Sequence, residues 1–272
     1  MTEHCYIWLP QIRTFQTHPF TIVSTEPLEV VVNSRDGFTK ALNQYAASNP
    51  GASLRASVEG PYGTIPDPMS FDKVVLIAGG SGATFAFGMA IHMAESMIEQ
   101  SNKQIELIWA SRGQENLTWF TRQLNHLASH HHASKISIQL YLTRAVKMSA
   151  NSSVTQAPIL TDNEESFAID LELSSRITSE KSQEKIQAME TSRNVGYLEN
   201  SDSVPLRTPF TPGRPDIQAL IEKAVSSTPK DQRILIAACG PQGLLGAVRN
   251  AASSCIDIDG PAIELHCEEF GW

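Results

Sequence analysis

Residues 74–93 read VVLIAGGSGATFAFGMAIHM, from Val74 to Met93. At 20 residues the run is long enough to cross a bilayer. Gly79, Gly80, Ser81, Gly82 and Thr84 interrupt it, however, with flexible and polar backbone that lipid does not tolerate easily. The stretch therefore reads as a strand over 74–78, a glycine turn, and a helix over 83–99. Working outward, the same alternation continues. A strand is predicted at 105–110, a helix at 117–130 with Leu117, Phe120, Leu124 and Leu127 on one face, and a strand at 136–142. It resumes with a helix at 216–226, a strand at 233–238, a helix at 243–253 and a strand at 263–267. Strands alternating with helices predict a doubly wound parallel sheet.

Upstream of Phe71 the rhythm is different. Short β-prone runs at 5–9, 19–24 and 28–33, with a fourth at 56–59, are separated by polar or proline turns and predict a small antiparallel sheet or barrel. Residues 5–9 read as a strand without any lead-in, as if strands that belong before them were missing. Residues 146–204 belong to neither pattern. They are rich in Ser, Thr and Glu, contain one glycine, and hold 5 Lys+Arg against 10 Asp+Glu. A polar, partly disordered insert is expected there, with Phe167 to Leu171 as one accessory strand.

The 272-residue chain has a net charge of −8, most of it in the insert, and only 18% charged residues against roughly 25% in an average soluble domain. The acidic balance excludes a nucleic-acid backbone binder, which needs a basic face. Cys5, Cys239, Cys255 and Cys267 form no CxxC pair, so neither a zinc cage nor a disulfide framework is predicted. No secretory signal is read at residues 1–4. His126 and His130 are four apart without a surrounding HExxH, and no metal site is expected.

Four motifs carry chemistry. Gly79-Gly80-Ser81-Gly82-Ala83-Thr84 follows a strand and opens a helix, where glycines admit a pyrophosphate to free N–H groups and a positive helix dipole. The next two strands run into Ser111-Arg112 and Thr143-Arg144 rather than into an acidic residue, which favours a 2′-phosphate over free ribose hydroxyls and hence NADPH. Cys239-Gly240-Pro241 ends a buried strand at the ligand-binding carboxyl edge of the sheet. His18-Pro19-Phe20-Thr21 and Gly60-Pro61-Tyr62-Gly63, by spacing alone, are a strand entry and a turn.

In order, HPFT (18–21), GFT (37–39), GPYG (60–63), GGSGAT (79–84), GRPDI (213–217), CGP (239–241) and a terminal EEFGW make the chain resemble the C-terminal, cytosolic half of fungal ferric-chelate reductases. These are relatives of the NADPH oxidases and of ferredoxin–NADP reductase. The resemblance implies an α/β protein with a small β-barrel: a ferredoxin–NADP reductase-like fold. Residues 1–70 would be an N-terminally truncated FAD-binding barrel, and 71–272 a Rossmann-like NADP-binding domain carrying the insert 146–204. It implies that His18, Pro19, Phe20 and Thr21 line the flavin, with Gly37 and Thr39 at its pyrophosphate and Gly60 and Gly63 at the same cofactor. Gly79, Gly80, Gly82 and Thr84 would hold the NADPH pyrophosphate, and Arg112, Arg144 and Arg214 would share its 2′-phosphate and neighbouring phosphates. Cys239, Gly240 and Pro241 would lie beside the nicotinamide, and a terminal aromatic, Phe270 or Trp272, would cover the flavin. The implied activity passes electrons from NADPH through FAD toward haem and then ferric or cupric chelates. By the same resemblance the haem would reside in a plasma-membrane domain, expected to be missing here, and this portion would face the cytosol and be soluble on its own. The reductase half of a superoxide-generating NADPH oxidase and a non-catalytic fragment are the alternatives.

Overall fold

The computed structural model describes residues 4–25, 27–144, 166–171, 192–194 and 209–269. Its centre is the predicted strand, β6 (Lys73–Gly79), every residue of which is buried. In chain order the elements before it are β1 (His4–Trp8), β2 (Thr17–Thr25), β3 (Leu28–Asn33), α1 (Phe38–Ser48), β4 (Ser53–Arg55) and β5 (Ser57–Tyr62). After it come α2 (Ala83–Ser96), β7 (Gln104–Ser111), α3 (Thr121–Ser129), β8 (Ile136–Leu142), β9 (Ser166–Leu171), β10 (Ser192–Asn194), β11 (Phe210–Pro212), α4 (Ile217–Ser226), β12 (Arg233–Cys239), α5 (Gln242–Ser254) and β13 (Ala262–Glu268).

A six-stranded sheet runs in the order β11-β8-β7-β6-β12-β13 with every pairing parallel. Both faces are covered, and β6 and β12 are accordingly continuous apolar runs over 74–78 and 234–239. Along β6, Val74, Leu76 and Ala78 turn toward α2 and α3, while Val75 and Ile77 turn toward α4 and α5. Asp216 caps α4 by accepting a hydrogen bond from the Ala219 amide at 3.1 Å, a contact of about 1 kcal/mol.

The second sheet, β5-β1-β2-β3-β9, is antiparallel. Its core of Cys5, Ile7, Ile22, Val30 and Val32 is closed by Phe38, Leu42 and Ala46 of α1. Among the described residues this sheet is open, with β5 and β9 as its edges. The accessory strand expected at 167–171 is present as β9, in six-residue register with β3, and β10 pairs with β4. Of the insert's two described strands, β9 is thus built into the sheet of the first 62 residues, and β10 forms a separate two-stranded sheet with β4. The rest of the insert lies outside the described residues.

Four expectations are corrected. α1 was not predicted, although Phe38, Leu42 and Ala46 have helical spacing. Residues 60–62 continue β5 instead of turning: Gly60, at φ +143°, lets β5 approach β1 where a Cβ would meet Cys5 Cα at 3.1 Å. The helix expected at 117–130 is a 3₁₀ segment over 114–120 followed by α3, and α2 ends at Ser96 because Met97 is extended. Among the described residues, no helix is long and apolar enough to cross a membrane.

Candidate functional site

The carboxyl edge of the parallel sheet gathers the nucleotide motifs into consecutive loops. From one side to the other, Arg214 follows β11, Arg144 follows β8, Arg112 follows β7, the GGSG turn follows β6, and Gly240-Pro241 follows β12. At about 4.8 Å per strand, the row from β11 to β12 spans roughly 19 Å. Backbone hydrogen bonds knit the arginine loops together: Arg144 N donates to Arg112 O at 3.0 Å, and Gly213 N to Leu142 O at 2.8 Å. All three arginines are exposed.

The GGSG turn is packed from below and open above. A Cβ on Gly82 would sit 2.4 Å from the Cys239 carbonyl oxygen, and one on Gly79 would sit 2.8 Å from Pro241 Cδ. Gly80 adopts φ +57° with nothing within 4 Å of its Cβ position, and its carbonyl accepts from the Trp109 indole at 3.1 Å. The turn thus presents a glycine-rich backbone, with Ser81 its one side chain, at the start of α2, which is the shape a pyrophosphate needs. Thr84 is buried and its hydroxyl donates to the Ser81 carbonyl at 2.9 Å, so it braces the turn from within. Cys239 is fully buried, and burial together with Glu268 pushes its thiol far above the ordinary range. It packs under Gly82 as a small apolar group while Gly240 and Pro241 form the rim.

On the antiparallel sheet, strand alternation divides the HPFT residues between two faces. His18 and Phe20 pair with Ile7 and Cys5, on the core face, whereas Pro19 and Thr21 pair with Tyr6 and His4 on the other. That second face of β2 packs, at Val23, into the core beneath α2. His18 stacks on Phe38, with ring centroids 4.1 Å apart and planes at 21°, which joins HPFT to GFT. Burial lowers the His18 pKa, and its Nε2 has no hydrogen-bond partner; nor does the buried Oδ1 of Asn33. Gly37, at φ +70° with open space around it, starts α1, and Thr39 Oγ1 accepts from the Arg35 amide at 2.9 Å. Gly63 lies beside His4, whose Nδ1 is 3.6 Å from its Cβ position.

Phe270 and Trp272 lie outside the described residues. Just before them, Glu269 is held to α5 by Arg249 at 2.7 Å. Sequence reasoning missed the His18–Phe38 stack and the Trp109 brace. The second had a signal, since an indole N–H inside an apolar strand needs an acceptor.

Two family models match. Residues 71–253 fit the ferric reductase NAD binding domain, and residues 1–66 fit an FAD-binding domain. Ferric/cupric reductase transmembrane component 1 of Candida albicans is 26% identical over 279 residues, covering 99% of this chain and 32% of its own length. Ferric reductase transmembrane component 3 of Saccharomyces cerevisiae is 27% identical over 276 residues, covering 99% of this chain and 34% of its own. The chain spans about a third of the length of these relatives. Among solved structures, the cytochrome b5 reductase domain of Ulva prolifera nitrate reductase matches at 13% identity with a TM-score of 0.53, over 98% of this chain and 84% of that one. Ferredoxin-NADP+ reductase from Plasmodium falciparum matches at 11% identity with a TM-score of 0.52, over 99% and 82%. The fold is that of the ferredoxin–NADP reductases. The match over 71–253 covers more than half of the sequence, and the chain belongs to the ferric reductase NAD-binding domain family.

Proposed function

We propose that the chain is the NADPH- and FAD-binding reductase module of a ferric or cupric reductase, supplying electrons to a membrane haem domain and thence to metal chelates. The observation that carries this reading is the row of loops along the carboxyl edge. The pyrophosphate turn is in the middle, three arginines lie on one side and Gly240-Pro241 on the other, which is the layout an extended dinucleotide requires. Gly79, Gly80 and Gly82 hold the pyrophosphate. Arg144 and Arg214, with Arg112 beside them, face the 2′-phosphate. Gly240 and Pro241 bound the nicotinamide, and Cys239 fills the floor beneath them.

Residues 1–70, with β9 and β10, form the FAD side, and the other described residues from 71 onward the NADPH side. The residues fit a flavin. Gly37 exposes the first amides of α1 to a phosphate. His18 Nε2 and Asn33 Oδ1 are buried polar atoms still lacking partners. Pro19 and Thr21 stand on the face of β2 turned to the nucleotide domain. FAD held there supplies the conversion of a two-electron hydride donor into single-electron transfers. The protein's share is alignment and exclusion of water; Phe270 or Trp272 is the covering aromatic. The chain's location at the plasma membrane, cytosolic side, follows from the same reading.

The test is reconstitution of the purified chain with FAD, followed by anaerobic mixing with NADPH. Bleaching of the flavin bands is expected; a chain that never acquires flavin bands overturns the reading.

A further inference from the structure

Glu29 is the second residue of β3 and interrupts the otherwise apolar run Leu28-Glu29-Val30-Val31-Val32, yet it is only 3% exposed. Leu28, Val30 and Val32 turn into the core of the antiparallel sheet. Glu29 alternates with them and shares its face with Val31, which packs against the core of the nucleotide domain. Its Oε1 accepts a 2.9 Å hydrogen bond from Nε2 of Gln123, itself buried, and its Oε2 lies 3.7 Å from Nη1 of Arg122. Both partners are on α3. On the far edge of β3, the segment 114–120 that leads into α3 lies against β9.

This contact is a poor choice for stability alone. It desolvates a carboxylate, and it leaves Oε1 of Gln123 buried without a hydrogen-bond partner. An apolar pair of equal volume would avoid both costs but would slide, whereas a hydrogen bond holds one distance and one direction. We propose that Glu29 and Gln123 are positioning residues. They fix β3, and with it the Pro19–Thr21 face of the neighbouring strand β2, against the nucleotide domain, so that the two cofactor rings meet in register. This rests on the function proposed above.

The experiment uses the full chain reconstituted with FAD and the variants Glu29→Leu, Gln123→Leu and Glu29→Gln. It reads flavin content, the NADPH half-saturation concentration, the limiting rate of flavin reduction, and amide hydrogen exchange in β3 and α3 before FAD is added. In the two leucine variants the limiting rate is expected to fall roughly ten- to a hundredfold, with half-saturation and flavin content within about twofold of the parent. Exchange in β3 and α3 is expected to rise about tenfold. Glu29→Gln, which still accepts from Gln123, is expected to recover the rate to within about threefold. A parental rate or unchanged exchange in a flavin-loaded leucine variant overturns the proposal. Should both leucine variants fail to fold while Glu29→Gln matches the parent in every readout, the pair is purely structural and the proposal is again overturned. If the parent chain is not reduced by NADPH, the functional reading fails by itself and the exchange arm still decides whether the clamp exists.

Discussion

The two sheets bury their strands by opposite routes. In the parallel sheet β6, β7, β11 and β12 are each followed by a turn and a helix that covers the sheet, so the site at its carboxyl edge is specified by local sequence: GGSG after β6, CGP after β12, an arginine after β7, β8 and β11. In the antiparallel sheet the partners come from far away. β3 is paired on one edge by β9, with Asn33 opposite Ser166, and beside that sheet β4 is paired by β10 in a two-stranded sheet of its own. Its second face is covered by another domain through Val23, Val31 and Glu29. A local site tolerates distant change and is intolerant of a single misplaced Cβ; a site assembled from distant segments has the reverse sensitivities.

That contrast is breakable, and the sharpest break is at Gly82. Gly82→Val places a Cβ 2.4 Å from the Cys239 carbonyl and is expected to destabilise the nucleotide domain by about 3 kcal/mol, read as a fall in the thermal midpoint. Gly80→Ala, at φ +57° with open space, should cost about 1 kcal/mol. Equal effects at the two positions would refute the packed-below, open-above geometry.

On the other sheet, deleting 166–171 removes β9 and is expected to weaken FAD binding about tenfold, some 1.4 kcal/mol, while NADPH binding changes little. Equal losses of both cofactors would show that the insert serves the two sheets alike. A smaller effect is expected at the arginine loops. Arg144→Ala and Arg214→Ala should each weaken NADPH by about fivefold, near 1 kcal/mol, and leave NADH unaffected.

The smallest expected effect is the pH response. His18, on the antiparallel sheet, and His92 and His130, on the nucleotide domain, all have lowered pKa values, chiefly through burial. Their unfolded forms begin to take up protons near pH 6.5 while the folded forms stay neutral, so stability falls as pH drops below that value. Replacing His18 with Phe should flatten the response of the antiparallel half alone, followed by amide exchange between pH 7 and pH 5.5.

The same contrast explains what could be read from the sequence. β6, β7, β8, β12 and β13 and the helices between them were legible because hydrophobic period and glycine turns are local signals. The strand at 167–171 was legible too, but its partner was not, since pairing across more than a hundred residues leaves no trace in either strand's pattern. α1 is harder to read because Gly37-Phe38-Thr39 has the look of a loop motif, and only Phe38, Leu42 and Ala46 mark the buried helical stripe. Glu29 was hidden for a different reason. A carboxylate among valines reads as one solvent-facing position until a second domain is found to cover it.

The most direct test of the whole account is anaerobic stopped-flow reduction of the FAD-loaded chain by NADPH and by NADH under identical conditions. NADPH is predicted to bleach the flavin with the lower half-saturation, a preference of about tenfold carried by the arginine loops. Equal reduction by NADH would contradict the phosphate-binding row along the carboxyl edge, and no reduction by either would contradict the reductase assignment itself.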